Sequence, residues 1–198
     1  MQKHKRISYL LYSLPVWLLA PAVQAHPAGP FHTHGLANGL LHPLTGLDHL
    51  LAMFAVGLWA VQQGGRKIWQ LPLTFIVALL AGGFLGMAGI GLPRLETGIG
   101  ASVLVIGLLI AAAIRLPKGW AIPLVALCAL AHGLAHGLEM PANVSGLSYA
   151  AGFGLATLML HLAGIAAGLH LQPGQRPVLV RFTGGAIALT GLFLISNL

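Results

Sequence analysis

The sequence predicts an all-α, polytopic transmembrane helix bundle, six helices after a cleavable signal peptide. Three observations carry that prediction. Hydrophobic residues make up 57% of the chain and charged residues only 7%, against roughly 25% charged in a soluble domain. The apolar residues gather into six stretches, each close to the about 20 residues that a helix needs to cross a bilayer. None shows the alternation of a membrane barrel, and open strands would leave backbone groups unpaired in lipid.

The elements follow in order. Lys3, Lys5 and Arg6 form a positive n-region, residues 8–20 an apolar h-region, and Val23-Gln24-Ala25 supplies small residues for cleavage. Residues 1–25 therefore read as a signal peptide; the alternative is an uncleaved first helix. Cleavage would expose His26 and lower the net charge from +7 to +4 through loss of Lys3, Lys5 and Arg6. Residues 26–40 read as a periplasmic arm carrying His26, His32 and His34, and residues 41–198 as the membrane domain. Its expected spans are 41–62, 69–92, 95–114, 120–139, 147–169 and 178–196. Gln63-Gly64-Gly65, Pro93, Pro117-Lys118-Gly119, Pro141 and Pro173-Gly174 with Pro177 punctuate them. Pro43 predicts a break or re-entrant turn at the start of the first span.

Basic residues set the expected orientation. With the mature N-terminus outside, the inward loops and their margins hold Arg66, Lys67, Arg115, Lys118, Arg176 and Arg181, and the outward loops only Arg94. This places the chain in the inner (cytoplasmic) membrane of a bacterium, N-terminus periplasmic. The basic residues are dispersed between apolar spans, which argues against nucleic acid as a partner. A single cysteine, Cys128, excludes an intrachain disulfide and any CxxC site. Small residues recur four apart at Gly82/Gly86, Gly133/Gly137 and Gly164/Gly168, as in closely packed membrane helices. The lipid bilayer is one partner; homo-oligomerisation is left open.

Beyond the signal, the chain has three acidic residues, Asp48, Glu96 and Glu139, all in or at the ends of apolar spans. Ionisable groups are costly there and mark function by default. His42 and His49 flank Asp48. His132, His136 and Glu139 are spaced by four and three residues and so share one helix face. The predicted topology brings the outer ends of the first, third and fourth spans to one depth, gathering His42, Asp48, His49, Glu96, His136 and Glu139, with His132 a turn deeper. Imidazoles and carboxylates suit Ni²⁺, Co²⁺ or Zn²⁺, and the lack of Cys and Met clusters argues against Cu(I). His161 lies deeper as a candidate second station or a structural hydrogen-bonding group. The arm histidines are candidates for external capture or are simply solvated. Glu96 either joins the site or neutralises Arg94. His170 reads as interfacial, and Cys128 as a packing residue.

The segment His42-Pro43-x-x-Gly46-x-Asp48-His49-x-x-Ala52-Met53-x-x-Val56-Gly57 resembles the signature of the HupE/UreJ family, and the stretch Ala131-His132-Gly133 to Glu139 resembles its second motif. The resemblance implies a membrane permease or accessory protein for hydrogenase or urease maturation, with nickel as the transported ion and cobalt next. The expectation is secondary uptake of that ion from periplasm to cytoplasm, not an enzyme and without an organic cofactor. No nucleotide-binding loop is present to drive it. The alternatives are an intramembrane zinc-dependent hydrolase of the ceramidase-like kind and a metal-sensing or metal-delivery accessory subunit.

Overall fold

The computed structural model describes residues 35–140, 144–171 and 177–198. The predicted signal peptide, His26, His32, His34, Pro141, Pro173-Gly174 and Arg176 lie outside them. The described residues form seven helices and no strand: α1 Gly35–Thr45, α2 Leu47–Gln63, α3 Lys67–Met87, α4 Leu95–Ala111, α5 Lys118–Glu139, α6 Gly146–Leu171 and α7 Pro177–Ser196. Helices α3, α5, α6 and α7 are each long and apolar enough to cross a membrane. The α1–α2 pair passes that test together, although bent by 82°, and α4 is apolar at 17 residues. The chain is an integral membrane protein, with four such helices, or five when the bent pair counts as one span. Its outer surface is apolar accordingly: Phe182, Leu189 and Leu127 stand exposed while His49, His132, His136 and His161 are buried.

Three boundaries differ from the sequence expectation. The expected first span, 41–62, is two helices, and α1 already begins at Gly35. The break falls at Gly46, in extended conformation (φ −89°, ψ 116°). Pro43 lies inside α1, so loss of its N–H does not end the helix. The second span ends at Met87, short of Pro93. Gly89 adopts φ +82°, and Ile90 N–H reaches back to Leu85 O at 3.0 Å, the closing turn that only glycine enters without strain. Helix α4 ends alike: Ala113 at φ +55° lets Ile114 N–H reach Leu109 O at 2.9 Å.

Glycine contacts set the helix pairs. Gly82 and Gly86 of α3 lie against α5 backbone, and Gly133 and Gly137 of α5 against α3, so close that a Cβ at any of the four would overlap the neighbouring chain. Two of the three small-residue pairs read from the sequence, Gly82/Gly86 and Gly133/Gly137, thus face each other, and Gly164/Gly168 lies against α2. Helix α6 packs on both arms of the bend: Gly39 meets Tyr149 O, Gly152 meets Leu36 O, Gly57 meets His161 O and Gly164 meets Phe54 O. Gly107 of α4 and Gly184 and Gly191 of α7 bring the third pair together. Close backbone approach replaces the hydrophobic driving force that helices lack in lipid.

A polar knot closes the end of α2 remote from Asp48. Carbonyls freed at the end of α4 need donors in an apolar surrounding. Trp59 Nε1 and Gln63 Nε2 donate to Ile114 O at 3.1 and 3.0 Å, and Gln62 Nε2 to Ile110 O at 3.2 Å. Lys67 Nζ donates to Leu116 O at 2.6 Å and Arg181 Nε to Ala111 O at 2.8 Å.

Adjacent glycines on α7 give a test. A Cβ at Gly184 would sit 2.5 Å from Ala111 N, whereas one at Gly185 meets nothing within 4 Å. Gly184→Ala is expected to destabilise the protein by about 1–3 kcal/mol through overpacking, and Gly185→Ala to change it by less than about 0.5 kcal/mol. Thermal melting of both variants in detergent measures the difference.

Candidate metal centre

The histidines form a row. Gly46 ends the bend, and α2 begins with Asp48 in its first turn, where the helix dipole favours a carboxylate. Asp48 Oδ1 accepts the His49 backbone N–H at 2.8 Å and His49 Nδ1–H at 2.6 Å. With its proton on Nδ1, neutral His49 keeps its lone pair on Nε2, which is buried and has no hydrogen-bond partner among the described residues. Asp48 thus orients His49 as a carboxylate orients a metal-bound imidazole.

Helix α5 supplies the opposing side. The His136 ring centre lies 4.1 Å from that of His49 and 4.6 Å from that of His42, and His132 lies 4.8 Å from His49. His42 Nε2 is 3.3 Å from Glu139 Oε2. One nitrogen each of His42 and His136 and one Glu139 oxygen lie within 4.8 Å of one another, a spacing that one ion can bridge. The row has a partly exposed end and a buried interior: side-chain exposure is 36% at His42 and 50% at Glu139, while the whole residue is 7% exposed at His49, 2% at His136 and 0% at His132. Both nitrogens of His136 are buried without a protein partner among the described residues. Buried polar atoms ordinarily find one, which sets these nitrogens apart as candidate ligand atoms. A cavity of about 20 Å³, room for a water or a small ion, adjoins His136 beside Tyr149 and Phe153.

The predicted residues divide by their positions. His42, Asp48, His49, His132, His136 and Glu139 come together. His161 is fully buried, both nitrogens unpaired, and is separated from the row by Phe75, whose ring lies 5.0 Å from His161 and 6.0 Å from His132. Glu96 is exposed and makes no ion pair or hydrogen bond among the described residues, with Arg94 or with the row. The polar contact from α4 is Ser102, 5% exposed, with Oγ 2.8 Å from His132 Nε2. Sequence reasoning missed it because it sought ionisable groups. A hydroxyl two turns into an apolar span was the available signal. His170 is exposed at the end of α6, and Cys128 is buried and free.

Comparison with known proteins now bears on this arrangement. The model of the family described as "HupE / UreJ protein" matches residues 14–194. The chain belongs to the HupE/UreJ family. Among HupE/UreJ relatives, the protein described as "Protein HupE" from Rhizobium leguminosarum bv. viciae is 42% identical over 195 residues, covering 98% of each chain. No solved structure matches. The HupE/UreJ signature read from the sequence straddles the break between α1 and α2, and its Gly46 has a physical task there. A Cβ on Gly46 would stand 2.9 Å from Asp48 Oδ1 and 3.0 Å from His49 Nδ1.

That crowding falls on the Asp48–His49 pair and not on backbone, and alanine can adopt the φ and ψ of Gly46. Gly46→Ala is therefore expected to fold with a melting point close to that of the native protein, yet to bind Co²⁺ at least about 10-fold more weakly. Optical Co²⁺ titration of the purified variant, beside its melting curve, measures both.

Proposed function

We propose that this HupE/UreJ protein performs secondary uptake of a divalent transition metal ion from periplasm to cytoplasm, with nickel the preferred cargo and cobalt next. The observation that carries the reading is the row of imidazoles running from a half-exposed carboxylate–histidine group into the bundle, with nitrogens that no group among the described residues satisfies. In this reading the protein lies in the inner membrane with the His42–Glu139 end periplasmic, and α4 and the α1–α2 pair complete six crossings. A helix of 17 residues is within the spanning range, about 17–25. The loop charge bias supports the orientation.

The chemistry runs in three stages. Glu96 and the arm histidines His26, His32 and His34 collect the cation at the outer face. Glu139, His42 and His136 replace part of its water; one carboxylate and two imidazoles suit Ni²⁺, Co²⁺ and Zn²⁺. His49, held by Asp48, then shares the ion with His132, and His161 relays it inward. Gly57 packs on His161 O, so His161 lies level with Gly57, eight residues and about 12 Å along α2 from His49. A dication moving through 100 mV, negative inside, gains about 4.6 kcal/mol, enough for roughly a thousandfold accumulation without a coupled ion. The cavity beside His136 measures about 20 Å³. That is far below the about 300 Å³ or more of a pocket for an organic ligand and favours ion passage over hydrolysis of a lipid.

Radiometal uptake into cells lacking their own importers tests the reading. Ni²⁺ is expected to accumulate faster than Co²⁺, and Co²⁺ faster than Zn²⁺. His49→Ala and His132→Ala are each expected to lower Ni²⁺ uptake at least about 10-fold. Native uptake by both variants, made at native levels, would overturn it.

Protons compete with the ion for imidazole nitrogens, and only the neutral ring binds metal. Uptake into proteoliposomes at fixed potential is therefore expected to fall as the outside is acidified and to recover when the pH is restored. A rate unchanged by acidification would place the rate-limiting ion site elsewhere.

A further inference from the structure

The buried end of the imidazole row depends on a hydroxyl that ligand patterns do not pick out. Ser102 Oγ lies 2.7 Å from Ile99 O and 2.8 Å from His132 Nε2. A serine hydroxyl has one proton to give. A carbonyl oxygen can only accept, so at 2.7 Å the proton goes to Ile99 O. Turned instead toward His132, it would leave two oxygen lone pairs facing each other at that separation. Ser102 Oγ therefore accepts, and His132 Nε2 carries the proton. A neutral imidazole has one protonated nitrogen, which leaves the lone pair of His132 on Nδ1. That nitrogen is buried and has no partner among the described residues.

The facing ring is arranged in the same way. His49 gives its Nδ1 proton to Asp48 and keeps the lone pair on Nε2, which is also buried and unpartnered. The two rings stand 4.8 Å apart at 88°. Each has its proton tied back into the protein and its lone pair left to the interior. The tethers differ in charge, a carboxylate for His49 and a neutral hydroxyl for His132.

We propose that Ser102 is a positioning residue for metal transfer. By accepting the Nε2 proton it fixes His132 as an Nδ1 ligand, and His132 Nδ1 with His49 Nε2 makes an inner, imidazole-only station for the divalent ion. The role rests on the uptake reading above. Groups that orient a ligating histidine typically contribute about 10–100-fold to metal affinity. A hydroxyl that merely filled space would leave the tautomer of His132 unfixed and the affinity unchanged.

The test uses full-length protein in lipid nanodiscs with ¹⁵N-labelled histidine, the His132 signals assigned by their loss in His132→Asn. In metal-free native protein, His132 is expected to carry its proton on Nε2. Ser102→Ala is expected to mix the two tautomers and to weaken Ni²⁺ binding about 10–100-fold. Ser102→Thr, which keeps the hydroxyl, is expected to restore both. A proton on Nδ1 of His132 in the native protein overturns the proposal whether or not any variant folds. So does a folded Ser102→Ala protein with the native tautomer and native affinity. Radiometal uptake by the same variants separates the two levels. Loss in His132→Asn with native rates in Ser102→Ala sinks the positioning role alone, whereas native rates in both His49→Ala and His132→Ala sink the uptake reading as well.

Discussion

The turn at Gly46 is the constraint on which the site depends. His42 and His49 are seven residues apart, and on one unbroken helix they would be separated by about 10.5 Å along the axis. The 82° bend instead sets their rings 6.3 Å apart and lets both meet His136. The turn must also be narrow. The Asp48 carboxylate and the His49 ring fold back over Gly46 at distances that leave no room for a side chain. One residue without a Cβ thus leaves the Asp48–His49 pair its place beside the bend. Thr45 helps to finish α1 by donating its hydroxyl to His42 O at 2.8 Å, so the carbonyl next to a candidate ligand is not left unpaired.

Close packing does the rest. Imidazoles are short, and a ring on α5 meets rings on α1 and α2 only where the helices nearly touch. Gly133 and Gly137, each next to a histidine of the row, press α5 onto α3, while Gly39, Gly57, Gly152 and Gly164 draw α6 onto both arms of the bend. The deeper polar residues, His49, His132, His136 and His161, are thereby enclosed by apolar helix. In lipid that enclosure is expensive: an unpaired buried polar group costs a few kcal/mol, and several such nitrogens occur here. Glycine-mediated approach, repeated in three helix pairs, offsets that cost without requiring long apolar side chains. At the far end of α2, by contrast, Trp59, Gln62, Gln63 and Lys67 meet nearly every freed carbonyl. The carbonyls at one end of the bundle are met by side chains, whereas imidazole nitrogens of the row at the other have no partner among the described residues.

Much of this was legible in the sequence because the polar residues are so few. The four- and three-residue spacing of His132, His136 and Glu139 fixes a shared face on any helix, and the structure keeps it. The helical class follows from composition alone. Less was legible where the deciding residue carries no charge. Pro43 drew attention as the breaker, but a helix tolerates one missing N–H, and the chain turns at Gly46. Pro93 marked the end of the second span, although Gly89 closes it first by entering the left-handed region. Glu96 stood out on α4 as an acid. Residues six apart on a helix point about 120° away from each other, so once Ser102 faces His132, Glu96 points away from that contact. Depth along a span can be read from sequence. Rotation about the axis of a uniformly apolar helix such as α4 cannot, since its pattern favours no face.

The distribution of charge along the row bears on how a site can bind an ion and still release it. Conduction requires binding strong enough to draw the ion in and weak enough at each station to let it go. In the proposed route the only carboxylate among the His42–His136–Glu139 group is half exposed, where water screens it. Deeper in, Asp48 is already occupied by two donors from His49, which spreads its charge into the pair. His132 is tethered by an uncharged serine and His161 by nothing among the described residues. Negative charge thus thins with depth, while the number of imidazole nitrogens does not. A fully buried carboxylate ligand would hold a dication too tightly, because in a low dielectric their attraction is many times its value in water. Neutral nitrogens supply coordination without that trap, and the membrane potential supplies the direction.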